Sequence, residues 1–406
     1  MSSPWLPAAG MTCIALAGCS GFTRTIELKP VERLSKTESA VVTWISNVQI
    51  FWPDENVQAR LDIPYRLNGP FAASPSGQYV LSTDRDIDAP LQTQSVTYVT
   101  DLHTGRSRAI YRSPFMEPTV AAAWSEDGGS CYFVKVTNQR AEHRIHDEPT
   151  SHVFRYDVLN DTCCPVVSVI GYAFTTLRSS ARQMLAARAL QPDGKRGFVC
   201  IIDLNSATYV VLNETLGLSH DFDVTGSYFF FDSNNGQRDI LKSLEVSSRR
   251  TETIMTGSDT WSFRAAWSPD GRIIAMMYGR EFSIYDTKNE SLCRVEWITR
   301  NWHQTGICTN PVWSRTGRYL AGYWGTAFYV GSGGFTRGGG GGIQYHLFVA
   351  DMERKEVVQL GTAEHPRPIY FIEDPVSLAR LKEAWWVKES MKDPRGGNPP
   401  KAIIEK

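Results

Sequence analysis

The residues of this 406-residue chain best equipped for chemistry are gathered in Glu142-His143-Arg144-Ile145-His146-Asp147-Glu148, with His152 just beyond. Imidazole nitrogens and carboxylate oxygens are the donors that divalent metals take. His143, His146 and His152 are therefore candidate ligands, and a divalent metal is the one cofactor the sequence leaves open. The Cys/His spacing of a zinc finger is absent, and a solvated, charged loop between two strands accounts for the same residues. His103, His220, His303 and His346 are scattered along the chain, and no Gly-x-Ser-x-Gly elbow marks a nucleophile. No catalytic set is named on this basis.

Two further groups invite a function. Leu16-Ala17-Gly18-Cys19-Ser20 follows an apolar run, Trp5 to Gly18, that is too short to span a membrane. Small residues before a cysteine permit signal-peptidase cleavage, and Cys19 then becomes a lipidated N-terminus. Ser20 after it resembles outer-membrane sorting in Gram-negative bacteria. Against this, Met1-Ser2-Ser3-Pro4 lacks the Lys or Arg of a signal peptide, so an apolar N-terminus of a cytosolic protein stays open. Near the other end, Trp385-Trp386 could anchor a partner, because tryptophan is favoured at interface hot spots.

These residues need elements to position them, and the sequence supplies a repeat. Ala266-Trp267-Ser268-Pro269-Asp270-Gly271-Arg272 reads as a tight turn between two strands, with proline, aspartate and glycine each suited to its corner. Copies occur at Val312-Trp313-Ser314-Arg315-Thr316-Gly317, Ala123-Trp124-Ser125-Glu126-Asp127-Gly128 and Ala72-Ala73-Ser74-Pro75-Ser76-Gly77. A weaker copy spans Phe222 to Phe230, and a degenerate one lies within Thr176 to Ala186. The spacing is about 44 to 54 residues, the length of one propeller blade. A strand ending in or beside aspartate follows every copy except the weaker one, at Asp101, Asp157, Asp203, Asp286 and Asp351. A four-stranded blade cannot bury both faces alone, so such units must stack in a ring, with Trp267 expected in a core between blades.

At these residues, from about Phe71 to Thr362, the chain resembles the TolB-like, WD40-like β-propellers with repeated W-S-P-D-G turns. The resemblance implies an all-β propeller of six motif-bearing, four-stranded blades. It leaves function open, since propellers with this turn include periplasmic scaffolds, non-catalytic oligopeptidase domains and metal-dependent lyases that gather histidines at the central channel. Val41–Ile45, Val48–Trp52 and Gln58–Ile63 precede the first motif, and with Ile369-Tyr370-Phe371-Ile372 they could form a composite seventh blade from the two termini.

The expected layout is a signal peptide over 1–19, a polar tether over 20–40, the propeller over 41–372, a short C-terminal helix over 373–392 and a disordered tail over 393–406. Asp374-Pro375 is a good helix start. The glycine-rich insertion Gly331 to Gly342 reads as a surface loop, since strand and not helix follows it. Cys293 and Cys308 are the best candidates for a disulfide. With a net charge of -1, the chain lacks the basic excess of a nucleic-acid binder. The expected protein is a membrane-anchored binding scaffold of the cell envelope, with an envelope protein or a glycan as partner. An enzyme acting on a carbohydrate or peptide at the channel is the alternative.

Overall fold

The computed structural model describes residues 24–35, 39–44, 48–55, 57–61, 71–85, 94–114, 117, 119–137, 149–192, 196–217, 220–223, 225–234, 239–256, 265–278, 281–297, 307–329, 341–363, 368–383 and 387–390. Four strands open the chain: β1 (Arg24–Pro30), β2 (Ala40–Trp44), β3 (Val48–Trp52) and β4 (Val57–Leu61). Six four-stranded units follow. The first is β5 (Ala72–Ala73), β6 (Tyr79–Arg85), β7 (Gln94–Asp101) and β8 (Arg106–Pro114). The second is β9 (Thr119–Trp124), β10 (Ser130–Thr137), β11 (Thr150–Asp157) and β12 (Thr162–Ile170). The third is β13 (Ala173–Ser179), β14 (Met184–Leu190), β15 (Gly197–Asp203) and β16 (Thr208–Thr215). The fourth is β17 (His220–Phe222), β18 (Tyr228–Asn234), β19 (Asp239–Glu245) and β20 (Arg250–Thr256). The fifth is β21 (Ala265–Trp267), β22 (Ile273–Tyr278), β23 (Glu281–Asp286) and β24 (Ser291–Trp297). The sixth is β25 (Ile307–Trp313), β26 (Tyr319–Tyr329), β27 (Gly341–Asp351) and β28 (Glu356–Ala363). The chain closes with β29 (Ile369–Ile372), α1 (Pro375–Glu383) and β30 (Val387–Ser390).

Each unit is an antiparallel meander, and turn chemistry sets its hairpins. In the first hairpin the motif serine accepts the backbone N–H five residues on: Tyr79 to Ser74 at 3.0 Å, Ser130 to Ser125 at 2.9 Å, Ile273 to Ser268 at 2.8 Å and Tyr319 to Ser314 at 2.9 Å. In the fourth unit the Asp223 carboxylate does the same for Tyr228, at 2.8 Å. The second hairpin is capped by the repeated aspartate, whose carboxylate accepts the N–H two residues on, as in His103 to Asp101 at 2.8 Å and Lys288 to Asp286 at 3.0 Å. Both kinds of turn lie at the same end of every unit, called here the turn end.

The termini meet as the sequence allowed. β29 pairs with β2 (Val41 with Phe371, Val42 with Tyr370), and the sheet runs β29-β2-β3-β4-β30. Among the described residues the core falls into clusters shared by successive units. One joins the second and third units through Val134, Val153, Leu177 and Leu185. Another joins the sixth to the composite sheet through Tyr323, Leu347, Val41 and Phe51. A third carries the composite sheet on to the first unit through Ile50, Ile372, Val80 and Leu102. Gly77 sits at this last joint with φ of 73°, where a β-carbon would run into the Ile372 side chain. The architecture is thus an all-β, propeller-like arrangement with one short helix.

Several expectations are corrected. The segment read as a tether from its polarity contains β1, which lies between β24 and β28 and joins the fifth and sixth units into one nine-stranded sheet. Its pairing is parallel to both neighbours, and a strand recruited by two open edges needs little hydrophobicity of its own. The C-terminal helix is shorter than 373–392, and β30 follows it as an edge strand on β4. Asp374 caps the helix as expected, its carboxylate accepting the Ser377 N–H at 2.7 Å. Cys293 is a buried free thiol. It lies on the outermost strand of the fifth unit and Cys308 on the innermost strand of the sixth, so blade width separates them. Trp267 is only partly buried, stacked on Phe230 at 3.6 Å between ring centroids. Of the motif tryptophans, Trp124 and Trp313 are in the core, at 7% and 8% exposure.

Candidate functional site

The innermost strands β5, β9, β13, β17, β21, β25 and β29 bring distant parts of the chain around one axis. Two residues before the turn serine, or before its counterpart Asp223, they carry Ala72, Ala123, Arg178, Asp221, Ala266 and Val312. Small apolar side chains suit that position, because the carbonyls of Ala72 and Ala266 accept the indole N–H of Trp124 and Trp313 from the next unit, at 2.9 and 3.1 Å. The third and fourth units break the pattern with opposite charges on adjacent strands. Arg178 Nε lies 3.9 Å from Asp221 Oδ1.

The Asp221 side chain is 57% accessible, on β17 beside Arg178 of β13. Burial pushes its carboxyl above the usual carboxylate range, opposed by the Arg178 charge and by the Phe222 N–H it accepts at 2.9 Å. Arg178 also donates to the Leu177 carbonyl at 3.1 Å. Tyr370, on β29, donates its hydroxyl to the Phe71 carbonyl at 2.6 Å. Burial pushes its phenol up to about 12, and both Arg178 and Asp221 act on it electrostatically. Three units thus place a guanidinium, a carboxyl and a phenol about a common space. Donors, an acceptor and a carboxyl that can hold its proton unusually high suit a polar ligand. At the turn end Arg315 donates to the Glu126 carbonyl at 3.3 Å, linking the sixth unit to the second.

Cys19, His143, His146, Trp385 and Trp386 lie outside the described residues, as does the loop 330–340. His152 is described on β11. Its Nδ1 lies 2.8 Å from Ser168 Oγ and its Nε2 3.1 Å from Thr137 Oγ1, so a metal would have to displace one of these hydroxyls. Among the described residues no three His, Cys, Asp or Glu side chains gather as a metal site. His346 pairs with Gln359 at 3.0 Å. Arg178 and Asp221 escaped sequence reasoning because the third and fourth motif copies are the degenerate ones. Alignment of the repeats on the turn serine would have exposed a charged pair where the other copies carry Ala or Val.

His103 is a separate case. Both ring nitrogens are buried without a hydrogen-bond partner. Burial lowers its pKa, Asp101 and Asp374 oppose that effect, and Arg380 of α1 adds to it. The ring therefore stays neutral in the fold, while the unfolded histidine takes up a proton near pH 6.5. Stability is expected to fall as pH drops through about 6.5 toward 5, because the unfolded chain then binds a proton that the fold does not. His103→Leu should flatten that slope in urea melts at pH 7.5 and 5.5. An unchanged slope would assign the acid sensitivity elsewhere.

No protein-family model matches the sequence, and no curated protein matches it. Solved structures do match in shape. The chain is similar to the periplasmic gluconolactonase PpgL of Pseudomonas aeruginosa, with 13% identity, a TM-score of 0.50, and 82% of this chain and 98% of that one covered. A prolyl endopeptidase gives 11% identity and a TM-score of 0.54 over 83% of this chain and 51% of that one. TolB from Acinetobacter baumannii gives 12% identity and a TM-score of 0.46 over 82% of each chain. The likeness to the gluconolactonase and the prolyl endopeptidase is likeness of fold, and with the repeated units, the turn motifs and the shared clusters it makes the chain a β-propeller.

Proposed function

We propose that this protein is an extracytoplasmic propeller of seven blades, anchored to a membrane of the cell envelope by a lipid on Cys19, that binds another envelope protein or a glycan at its channel. The blade count rests on the six motif-bearing units plus the composite sheet of β29, β2, β3 and β4. The lipid anchor rests on the Leu16-Ala17-Gly18-Cys19 pattern, and the periplasmic address of the similarly folded gluconolactonase agrees with it. The observation that carries the binding role is the Arg178–Asp221 pair on adjacent innermost strands, at a position where other units keep Ala or Val. Accessible charges retained on inner strands without a packing need mark recognition.

The test is cross-linking and mass spectrometry on the full chain solubilised gently from membranes, beside a glycan array. The wild type should yield one stoichiometric protein or one glycan class. Arg178→Ala with Asp221→Ala should weaken that binding about tenfold or more, a loss of about 1.4 kcal/mol or greater, with the melting temperature held. Binding that is indifferent to both substitutions removes the channel from the proposal.

A second reading has its own observation. A carboxyl whose pKa is raised by enclosure is what a general acid needs, and Asp221 has that property beside a guanidinium. On this reading the protein is a carbohydrate-acting enzyme. Asp221→Asn would then abolish turnover of a bound sugar while leaving its binding in place. Unchanged turnover excludes Asp221 as the acid.

A further inference from the structure

β1 decides which part of the ring lies nearest the anchor. Arg24 pairs with Cys293 near the start of β24, and the strand runs parallel to β24 as far as Leu28 and Trp297. It then crosses to β28, where Lys29 pairs with Glu356 and Pro30 with Val357. The Lys29 N–H donates to the Lys355 carbonyl at 2.8 Å, and the Val31 N–H to the Val357 carbonyl at 2.9 Å. Leu28 has no exposed surface and packs with Phe282, Val295, Phe348 and Val357 between the fifth and sixth units. Pulling β1 away would expose Leu28 and leave two strand edges unpaired. The strand is part of the wall, and it cannot serve as slack.

Cys19 precedes Arg24 by five residues. Five residues fully extended reach about 18 Å at most. Four strands about 4.8 Å apart make a blade about 14 Å wide, so two blades across the axis span about 29 Å before the channel is added. The reach is shorter than the ring. The strand also begins at the turn end of the fifth unit, beside the second-hairpin turns that carry Lys288 and, in the sixth unit, Arg354 and Lys355, all exposed. The matching turns of the second and third units carry Leu159-Asn160-Asp161 and Asn205-Ser206-Ala207, without a cation. Lysines of this kind suit anionic headgroups. Glu290 and Glu353 share the cationic turns, so the attraction is modest and the short tether decides.

We propose that the outer rim of the fifth and sixth units, at its turn end, is the surface that rests on the membrane, and that the rim of the second unit faces away. This rests on Cys19 being lipidated and on a ring of seven, in which the second unit stands opposite the joint of the fifth and sixth.

The test places a photo-crosslinking residue at Lys288, Lys355, Asn160 or Asn205 of the full chain in its native membrane, and reads lipid adducts by mass spectrometry. Adducts are expected to be several-fold more abundant at 288 and 355 than at 160 and 205. Cys19→Ala, followed by fractionation, separates the two ways to fail. If Cys19→Ala frees the protein but the four positions label equally, or the order reverses, the orientation is wrong and the anchor stands. If Cys19→Ala leaves the protein where it was, the anchoring reading falls and takes the proposal with it. A flexible Gly/Ser insert of about 30 residues between Gly21 and Phe22 should keep the anchor and even out the labelling. A preference that survives the insert overturns the tether as its cause.

Discussion

Trp124→Ala is expected to lower the unfolding free energy by about 3–5 kcal/mol, the range for removing a large aromatic from a core. The indole packs at the joint of the first and second units with Leu81, Val99 and Phe133, and it stacks on Tyr79 with 6.1 Å between centroids and 16° between planes. Its N–H is the donor to the Ala72 carbonyl, so truncation also leaves a buried acceptor unpaired, at a cost of about 1–3 kcal/mol already included in such losses. Trp313→Ala should behave alike, since Trp313 makes the equivalent bond to Ala266. Trp267→Ala should cost less, about 1–3 kcal/mol. That ring is partly exposed and its buried N–H has no hydrogen-bond partner. Urea denaturation of the three variants gives the order. Equal losses, or a Trp124→Ala loss under about 1 kcal/mol, would mean that the blade register is wrong.

Arg318→Ala should destabilise the fold by about 3–5 kcal/mol at pH 7, because it strips the hydrogen-bonding guanidinium from a buried carboxylate and leaves only Arg354 Nε, 3.8 Å from Oδ2, as a neighbouring cation. Asp351 has no exposed surface, and Arg318 donates to its Oδ2 at 2.6 and 3.1 Å. The Glu353 and Arg354 N–H groups donate to Oδ1 at 3.1 and 3.0 Å. Burial works to raise this carboxyl, but the Arg318 bonds and those N–H groups outweigh it and hold the group below its ordinary value. The folded pKa is thus depressed. Its stabilisation is present above the unfolded value, about 3.9, and is lost as pH falls through the folded one. Without Arg318 the carboxyl titrates higher, so the loss should be largest near neutrality and shrink toward pH 4. A loss that does not vary with pH would mean that Arg318 acts by packing, for example through its guanidinium over the Tyr319 ring at 5.0 Å. Asp351→Asn removes the charge while keeping an acceptor for the two N–H groups, and it should cost less than Arg318→Ala.

Where the turn residues are the motif residues, the fold was legible before any coordinates. Asp270 and Gly271 each perform the role that their chemistry predicts: Asp270 Oδ1 accepts the Arg272 N–H at 3.1 Å, and Gly271 takes φ of 67°. The third unit was faint for a physical reason. Gln183 occupies the left-handed position at φ of 58° where the other first hairpins use glycine, and the turn closes one residue sooner, Ser180 N–H to Met184 carbonyl at 3.0 Å. The fourth was faint because Asp223 replaces the serine. In both cases the backbone needs a conformation and an acceptor, and more than one residue type supplies them.

The sequence by itself determined the local order of the molecule: short strands, turns of defined type, a period of one blade, and a capped helix at Asp374-Pro375. Those properties depend on neighbours a few residues apart, and periodicity carries them. Tertiary structure alone decided three others. It drew the polar segment 24–30 into the wall between the fifth and sixth units, because two open strand edges satisfy a backbone whatever its side chains. It kept Cys293 from Cys308 by the width of a blade. It brought Arg178, Asp221 and Tyr370 from three units to one axis. Ring closure makes neighbours of residues far apart in the chain, and no local pattern records which of them will meet.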